Sequence, residues 1–195
     1  MKILGIGGSP RKGGNTDILL DKALEGAGSA GASVEKIVLN DLEFKPCQEC
    51  GGCRKTGACV IRDGMCAIYD KIKEADGLIL ASPVFFGSLS AQMKTMIDRF
   101  QCAWIKKYML KIRDGKKRRG IFLSAGGYDK NDFFENARQI VKVFFKTIDT
   151  EYAGELFCGR IEDAGDINKR PDLLERAFRL GYQLIPPNSK LTNNA

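Results

Sequence analysis

The 195-residue sequence predicts a doubly wound α/β domain, a parallel sheet with helices on both faces. Three observations carry that expectation. Apolar runs of strand length recur along the chain, several of them near-continuous, as strands covered on both sides must be. Segments of helical period separate them, and a β-α-β-α alternation is connected most simply by right-handed crossovers. A glycine-rich turn also follows the first run and leads straight into the first helical segment.

Each element follows in order. Residues 2–7 form a mostly apolar run ending in glycine, the first strand. Residues 16–27 place Ile18, Leu19, Leu20, Ala23 and Leu24 on one helical face. A second strand over 34–39 is followed by a Cys-rich insertion over 44–64, and a helix resumes over 65–75. Strands over 77–82, 120–124 and 152–157 alternate with helices over 90–108, 132–147 and 171–185. The last helix opens on Pro171, a residue the first helical turn tolerates. Residues 1–187 thus read as one domain, and 188–195 as a frayed tail. With five strands the expected sheet is flavodoxin-like, order 2-1-3-4-5. Such a sheet places its ligand at the carboxyl ends of the strands beside the switch between the first and third.

Composition narrows the chemistry. The sequence has no histidine, which excludes imidazole general bases, Ser-His and Cys-His dyads and His-containing metal sites. No apolar run approaches the about 18 residues of a membrane span, and no secretory leader is evident, so a soluble cytoplasmic protein without a membrane partner is expected. Lys and Arg total 31 against 24 Asp and Glu, a formal charge of +7 that favours acidic partners. The densest basic stretch is Lys116, Lys117, Arg118 and Arg119, with Lys106 and Lys107 upstream; it reads as a solvated face and the first candidate for docking an acidic protein. No nucleic-acid motif accompanies it. Asp98, Arg99, Asp129 and Lys130 are expected to form surface pairs.

The turn Gly7-Gly8-Ser9-Pro10-Arg11-Lys12-Gly13-Gly14-Asn15-Thr16 delivers backbone N–H groups, hydroxyls and cations to a helix N-terminus, a site suited to a phosphate dianion. Its candidate binding residues are Ser9, Arg11, Lys12, Gly14, Asn15 and Thr16. A Walker A loop would need Lys at Gly14 and Ser or Thr at Asn15, and a Rossmann fingerprint begun at Gly5 meets Pro10 in place of its last glycine. The third strand ends in Ser82 followed by Pro83, Val84, Phe85, Phe86 and Gly87, and the fourth in Ser124, Ala125, Gly126 and Gly127. Rigid backbone, aromatic faces and glycines suit a flat ring. A phosphate at one loop and a ring at two others describe a mononucleotide such as FMN.

Cys47, Cys50, Cys53 and Cys59 read C-x2-C-x2-C-x5-C. Closely spaced cysteines wrap one face of a cubane and the fourth closes an all-cysteine site, so these four are candidate ligands of a [4Fe–4S] cluster. Structural zinc fits less well, because zinc knuckles are joined across longer spacers; free thiols remain a third state. Cys66, Cys102 and Cys158 are expected to pack as small buried hydrophobes.

The Gly-Ser-Pro-Arg-x-x-Gly-Asn-Thr loop, the Ser-Pro-Val-Phe-Phe-Gly segment and the later Gly-Gly turn resemble the NADPH-dependent FMN reductase branch of flavodoxin-like proteins across nearly the whole chain. With the cysteine motif, the chain resembles the iron-sulfur flavoproteins. That resemblance implies FMN phosphate held by Ser9, Arg11, Asn15 and Thr16, with the isoalloxazine near residues 83–87 and 124–127. It further implies a ferredoxin-like donor and a homodimer or homotetramer; the sequence leaves the acceptor open among a small oxidant, a quinone and another redox protein. A cluster-free NAD(P)H-dependent FMN or quinone reductase and a non-catalytic FMN protein with zinc are the alternatives.

Overall fold

The computed structural model describes residues 1–113 and 115–186; the tail expected over 188–195 lies outside the described residues. Six strands and six α-helices follow one another as β1 (Lys2–Gly7), α1 (Asn15–Ser29), β2 (Ser33–Val38), α2 (Met65–Glu74), β3 (Gly77–Phe85), β4 (Ser88–Leu89), α3 (Ala91–Arg99), α4 (Gln101–Trp104), β5 (Arg118–Ala125), α5 (Glu135–Thr147), β6 (Thr150–Cys158) and α6 (Pro171–Gln183). The sheet order is β2-β1-β3-β5-β6, all parallel, with β4 pairing β3 antiparallel. The five long strands lie in the expected order, and the strand count is corrected from five to six by the short β4. Its hairpin turns through Phe86 and Gly87, both at positive φ (51° and 68°), the turn conformation that matches the twist of the flanking strands.

The strands bury alternate residues on opposite faces. Leu4, Ile6, Leu78, Leu80 and Phe122 pack with α2, α3 and α5, through residues such as Ile68, Met93, Met96 and Phe145. Ile3, Ile79, Ile121 and Leu123 pack with α1 and α6, through Leu19, Leu20, Ala23 and Ala177. Full burial of a side chain of this size stabilises the domain by about 1.5–3 kcal/mol.

The helix expected over 90–108 is broken. Phe100 leaves the helical conformation (φ −79°, ψ 10°), α4 follows, and Ile105–Met109 forms a π-helical turn. The break lets Phe100 meet Tyr69 and Phe144 edge-on, at ring separations of 5.0 and 5.1 Å.

The basic stretch also departs from expectation. Arg118 is buried, and its guanidinium donates to the carbonyls of Ile72, Lys73 and Ala75 at the end of α2 and of Ile148 after α5. Arg119 donates to the carbonyls of Gln183 and Leu184 at the end of α6, and Lys116 to that of Glu74. Last-turn carbonyls lack intrahelical donors and carry the negative end of the helix dipole, so cations belong there. Three of the four residues are therefore engaged in closing helices, and Lys117 alone among them is an exposed side chain.

Two glycines set the distance between α1 and α6. A Cβ at Gly181 would lie 1.8 Å from the Ala23 carbonyl oxygen, and one at Gly26 would lie 2.0 Å from that of Phe178. Gly181→Ala must separate the helices and is expected to destabilise the domain by about 3 kcal/mol. An unchanged urea midpoint would contradict this close packing.

Candidate cofactor cleft and cysteine site

The carboxyl ends of β1, β3 and β5 open on a cavity of about 250 Å³. Ser9, Pro10, Arg11, Gly14, Asn15 and Thr16 line it from the first loop, Pro83, Val84 and Phe85 from the second, and Ala125, Gly126 and Gly127 from the third. Ile161, Glu162 and Ala164, from the loop after β6, complete the wall; no local sequence signal marked them. Four of the sequence candidates lie elsewhere. Lys12 pairs with Asp41 at 3.0 Å on an exposed surface, Phe86 projects fully into solvent, and Gly87 sits beyond the cavity at the hairpin turn. Ser124 is wholly buried beneath the cleft.

The first loop is shaped by its own hydrogen bonds. The Ser9 hydroxyl accepts from the Arg11 N–H and donates to the Arg11 carbonyl, both at 3.0 Å. Gly14 occupies the N-cap of α1 and supplies no side-chain acceptor. The Asp17 N–H turns back to the Gly14 carbonyl at 2.9 Å, while the Asn15 and Thr16 N–H groups have no intrahelical partner, so this helix presents two donors and the positive end of its dipole beside Arg11, which fits a phosphate group. The Asn15 carboxamide is otherwise engaged: it donates to the Asp163 carbonyl at 2.8 Å and accepts from Gly165 and Ile167 at 3.0 and 3.2 Å. It therefore braces the loop that supplies Ile161 and Glu162.

A buried serine network joins the three predicted loops. Ser90 Oγ donates to the Gly8 carbonyl at 2.6 Å and accepts from Met93 N–H at the start of α3. The Ser90 N–H donates to Ser82 Oγ at 3.1 Å, and Ser124 Oγ donates to the Ser82 carbonyl at 2.7 Å. Gly8 permits the contact, since a Cβ there would stand 2.8 Å from Met93 Cβ and 3.1 Å from Ser90 Oγ. Ser124 thus acts as a positioning residue below the cleft.

The insertion contains no α-helix or strand between β2 and α2. Cys47, Cys50, Cys53 and Cys59 nevertheless line one cavity of about 80 Å³, together with Arg99 and Cys102. Arg99 does not form the expected surface pair. It is 1% exposed and reaches from the end of α3 into the insertion. Its Nη1 donates to Asp63 Oδ2 at 2.6 Å and to the Lys45 carbonyl at 2.7 Å, while Nη2 donates to Asp63 Oδ1 at 3.1 Å and to Cys59 Sγ at 3.5 Å. Asp63 also accepts from the N–H groups of Lys45 and Met65, closing the neck of the loop. The Asp-Gly pair before an apolar helical run was the available signal for this anchor. Asp98 does pair on the surface, with Lys94 at 2.8 Å, and Asp129 pairs with Arg160 at 2.6 Å.

Thiol electrostatics differ around the cavity. Burial pushes the Cys53 thiol up, and the neighbouring Cys47, Cys59 and Cys50 add to the effect. Burial acts the same way on Cys59, but the Ile61 N–H and the Arg99 guanidinium outweigh it and bring this thiol below its ordinary value. Arg99 Nε is buried with no acceptor. An all-sulfur donor set beside an unmatched cationic N–H fits a group carrying negative charge on sulfur. Among the described residues no three Cys, Asp or Glu side chains already stand at metal-holding geometry. Cys102 and Cys158 are buried as expected, and Cys66 is half-buried.

A doubly wound sheet whose first, third and fourth parallel strands end around a glycine-rich loop at a helix N-terminus defines a flavodoxin-like fold. The family model of NADPH-dependent FMN reductase matches residues 1–133, and the chain belongs to that family. It is 42% identical over 127 residues to an iron-sulfur flavoprotein of Methanosarcina thermophila, covering 65% of this chain and 64% of that relative. It is 48% identical over 99 residues to one of Methanocaldococcus jannaschii, covering 51% of each. An NAD(P)H:quinone oxidoreductase from Methanothermobacter marburgensis shares the fold, with a TM-score of 0.72 at 19% identity over 96% of this chain and 97% of that one.

Ser90→Ala leaves Gly8 and Met93 without their partner and is expected to cost about 2 kcal/mol, with a matching loss in mononucleotide affinity. Arg99→Leu strands Asp63 and is expected to cost about 3–5 kcal/mol. Urea titration checks both; loss of less than about 1 kcal/mol in either would remove the role given to that network.

Proposed function

We propose that this chain is a redox flavoprotein that holds FMN in the cleft and a [4Fe–4S] cluster on Cys47, Cys50, Cys53 and Cys59. In this proposal electrons pass from a ferredoxin-like donor through the cluster and FMN to an acceptor, a small oxidant or another redox protein. The observation that carries it is the convergence of these four cysteines on one cavity, in the same chain as a cleft that opens at the N-terminus of α1. When bound, FMN exchanges one or two electrons and a cubane one, so together they convert between one- and two-electron chemistry.

The residues divide that task. Arg11 and the first-turn amides of α1 bind the phosphate; Pro83, Val84 and Phe85 on one side and Gly126 and Gly127 on the other bound the space for the ring. Arg99 offers Nε to sulfur and fixes the insertion to α3. The helix α3 spans nine residues, about 13 Å, from the serine network under the cleft to the cysteine cavity. The chain offers no imidazole, and this chemistry requires no protein acid–base group beyond proton access to the cofactor. The proposed protein works in the cytoplasm as a homodimer or homotetramer, with an acidic donor drawn by the net charge of +7.

A second proposal is favoured by the thiols not already standing at metal-holding geometry. In it the cysteines carry no cluster, and the chain is an NAD(P)H-dependent FMN or quinone reductase. An anaerobic absorption spectrum with iron, sulfide and FMN determined on one sample separates the possibilities. The first proposal expects about four irons and four sulfides per FMN. Iron-free yellow protein bleached rapidly by NADPH would replace it with the second. Cys50→Ser is expected to remove iron and keep FMN; Arg11→Ala is expected to keep iron and weaken FMN about tenfold, about 1.4 kcal/mol.

A further inference from the structure

A separate cavity of about 340 Å³ lies behind the cysteine segment, between α2, α4 and the end of α5. It shares no lining residue with the FMN cleft, and Cys59 and Cys102 stand in the walls of both this cavity and the cysteine cavity. Its volume falls within the about 300–1,000 Å³ typical of small-molecule sites.

The lining has two characters. Tyr69, Ile72, Phe100, Ile112 and Ile148 make an apolar surface. Around it stand Arg62, Lys73, Lys106, Lys107 and buried Arg118, against the carboxylates of Asp70 and Asp149. Lys107 pairs with Asp149 at 2.6 Å, whereas Arg62 and Lys73 make no ion pair among the described residues. The pocket therefore sets two exposed cations, Arg62 and Lys73, at the edge of an apolar interior.

We propose that this cavity is a second ligand site, for an organic anion with a flat apolar body of the aryl carboxylate or aryl sulfonate class. A bare inorganic anion is a poorer match, because the apolar floor would replace its hydration with no hydrogen-bond donors. An aromatic ring covers that floor, and its acidic group remains at the rim near Arg62 and Lys73. The occupant lies against Cys59 and Cys102, so this site adjoins the cysteine centre while remaining apart from the mononucleotide cleft. Its existence does not depend on which cofactor the cysteines hold.

The probe is naphthalenesulfonate, titrated calorimetrically into FMN-saturated full-length protein whose iron content is measured in parallel. One saturable site per chain is expected, weakening as salt rises. Arg62→Ala and Lys73→Ala, both on exposed side chains, are each expected to weaken binding about fivefold. The neutral naphthalenesulfonamide is expected to bind more weakly than the anion, and Ala103→Trp, which fills the cavity, to abolish binding. The proposal fails if FMN-saturated protein shows no saturable binding, if the two cation variants bind like wild type, or if the neutral analogue binds equally well. Binding to iron-free protein would retain this pocket and reject the cluster; iron-replete protein without binding would do the reverse.

Discussion

Burial of the Arg99 guanidinium constrains everything around the cysteine segment. A charge taken out of water is tolerated only if its donors are matched, and Asp63, the Lys45 carbonyl and Cys59 match all but one of them here. Those partners come from both ends of an insertion that has no strand or α-helix of its own. One side chain on α3 thereby does what a covalent staple or a small core would do in an isolated loop of this length. Arg99 also lines the cavity shared by the four cysteines and donates to Cys59, so the anchor is an electrostatic feature of the site.

The other end of α3 performs the corresponding task for the cleft. Ser90 begins the helix and holds the Gly8 carbonyl, while Ser82 and Ser124 extend the contacts to the loops after β3 and β5. Three loops far apart in sequence become one rigid surface because their serine hydroxyls and backbone groups satisfy one another away from water. Asn15 ties in the fourth loop by the same logic. A single short helix is thus common to the mononucleotide cleft and the cysteine cavity.

Parts of this architecture were legible in the sequence because their causes are local. Buried parallel strands must be apolar on both faces, and a glycine-rich turn before a helix carries its anion-binding amides with it. The sheet order, both candidate sites and most of the cleft residues followed from such patterns. Residues whose roles depend on distant partners were misplaced. Lys116, Arg118 and Arg119 read as a solvated run, yet the sheet brings them against the exposed carbonyls ending α2 and α6. Ser124 read as a cleft residue, yet strand alternation turns its hydroxyl down toward Ser82.

Periodicity, glycine placement and cysteine spacing were sufficient to predict a doubly wound domain with a glycine-rich first loop opening a helix and a clustered thiol segment, because those properties belong to short stretches of chain. The pairing of Arg99 with Asp63, the contribution of Ile161 and Glu162 to the cleft, and the basic cavity behind Cys59 arose only when the sheet and helices packed. Each joins groups from separate elements, and their desolvation or convergence has no counterpart in the unfolded chain.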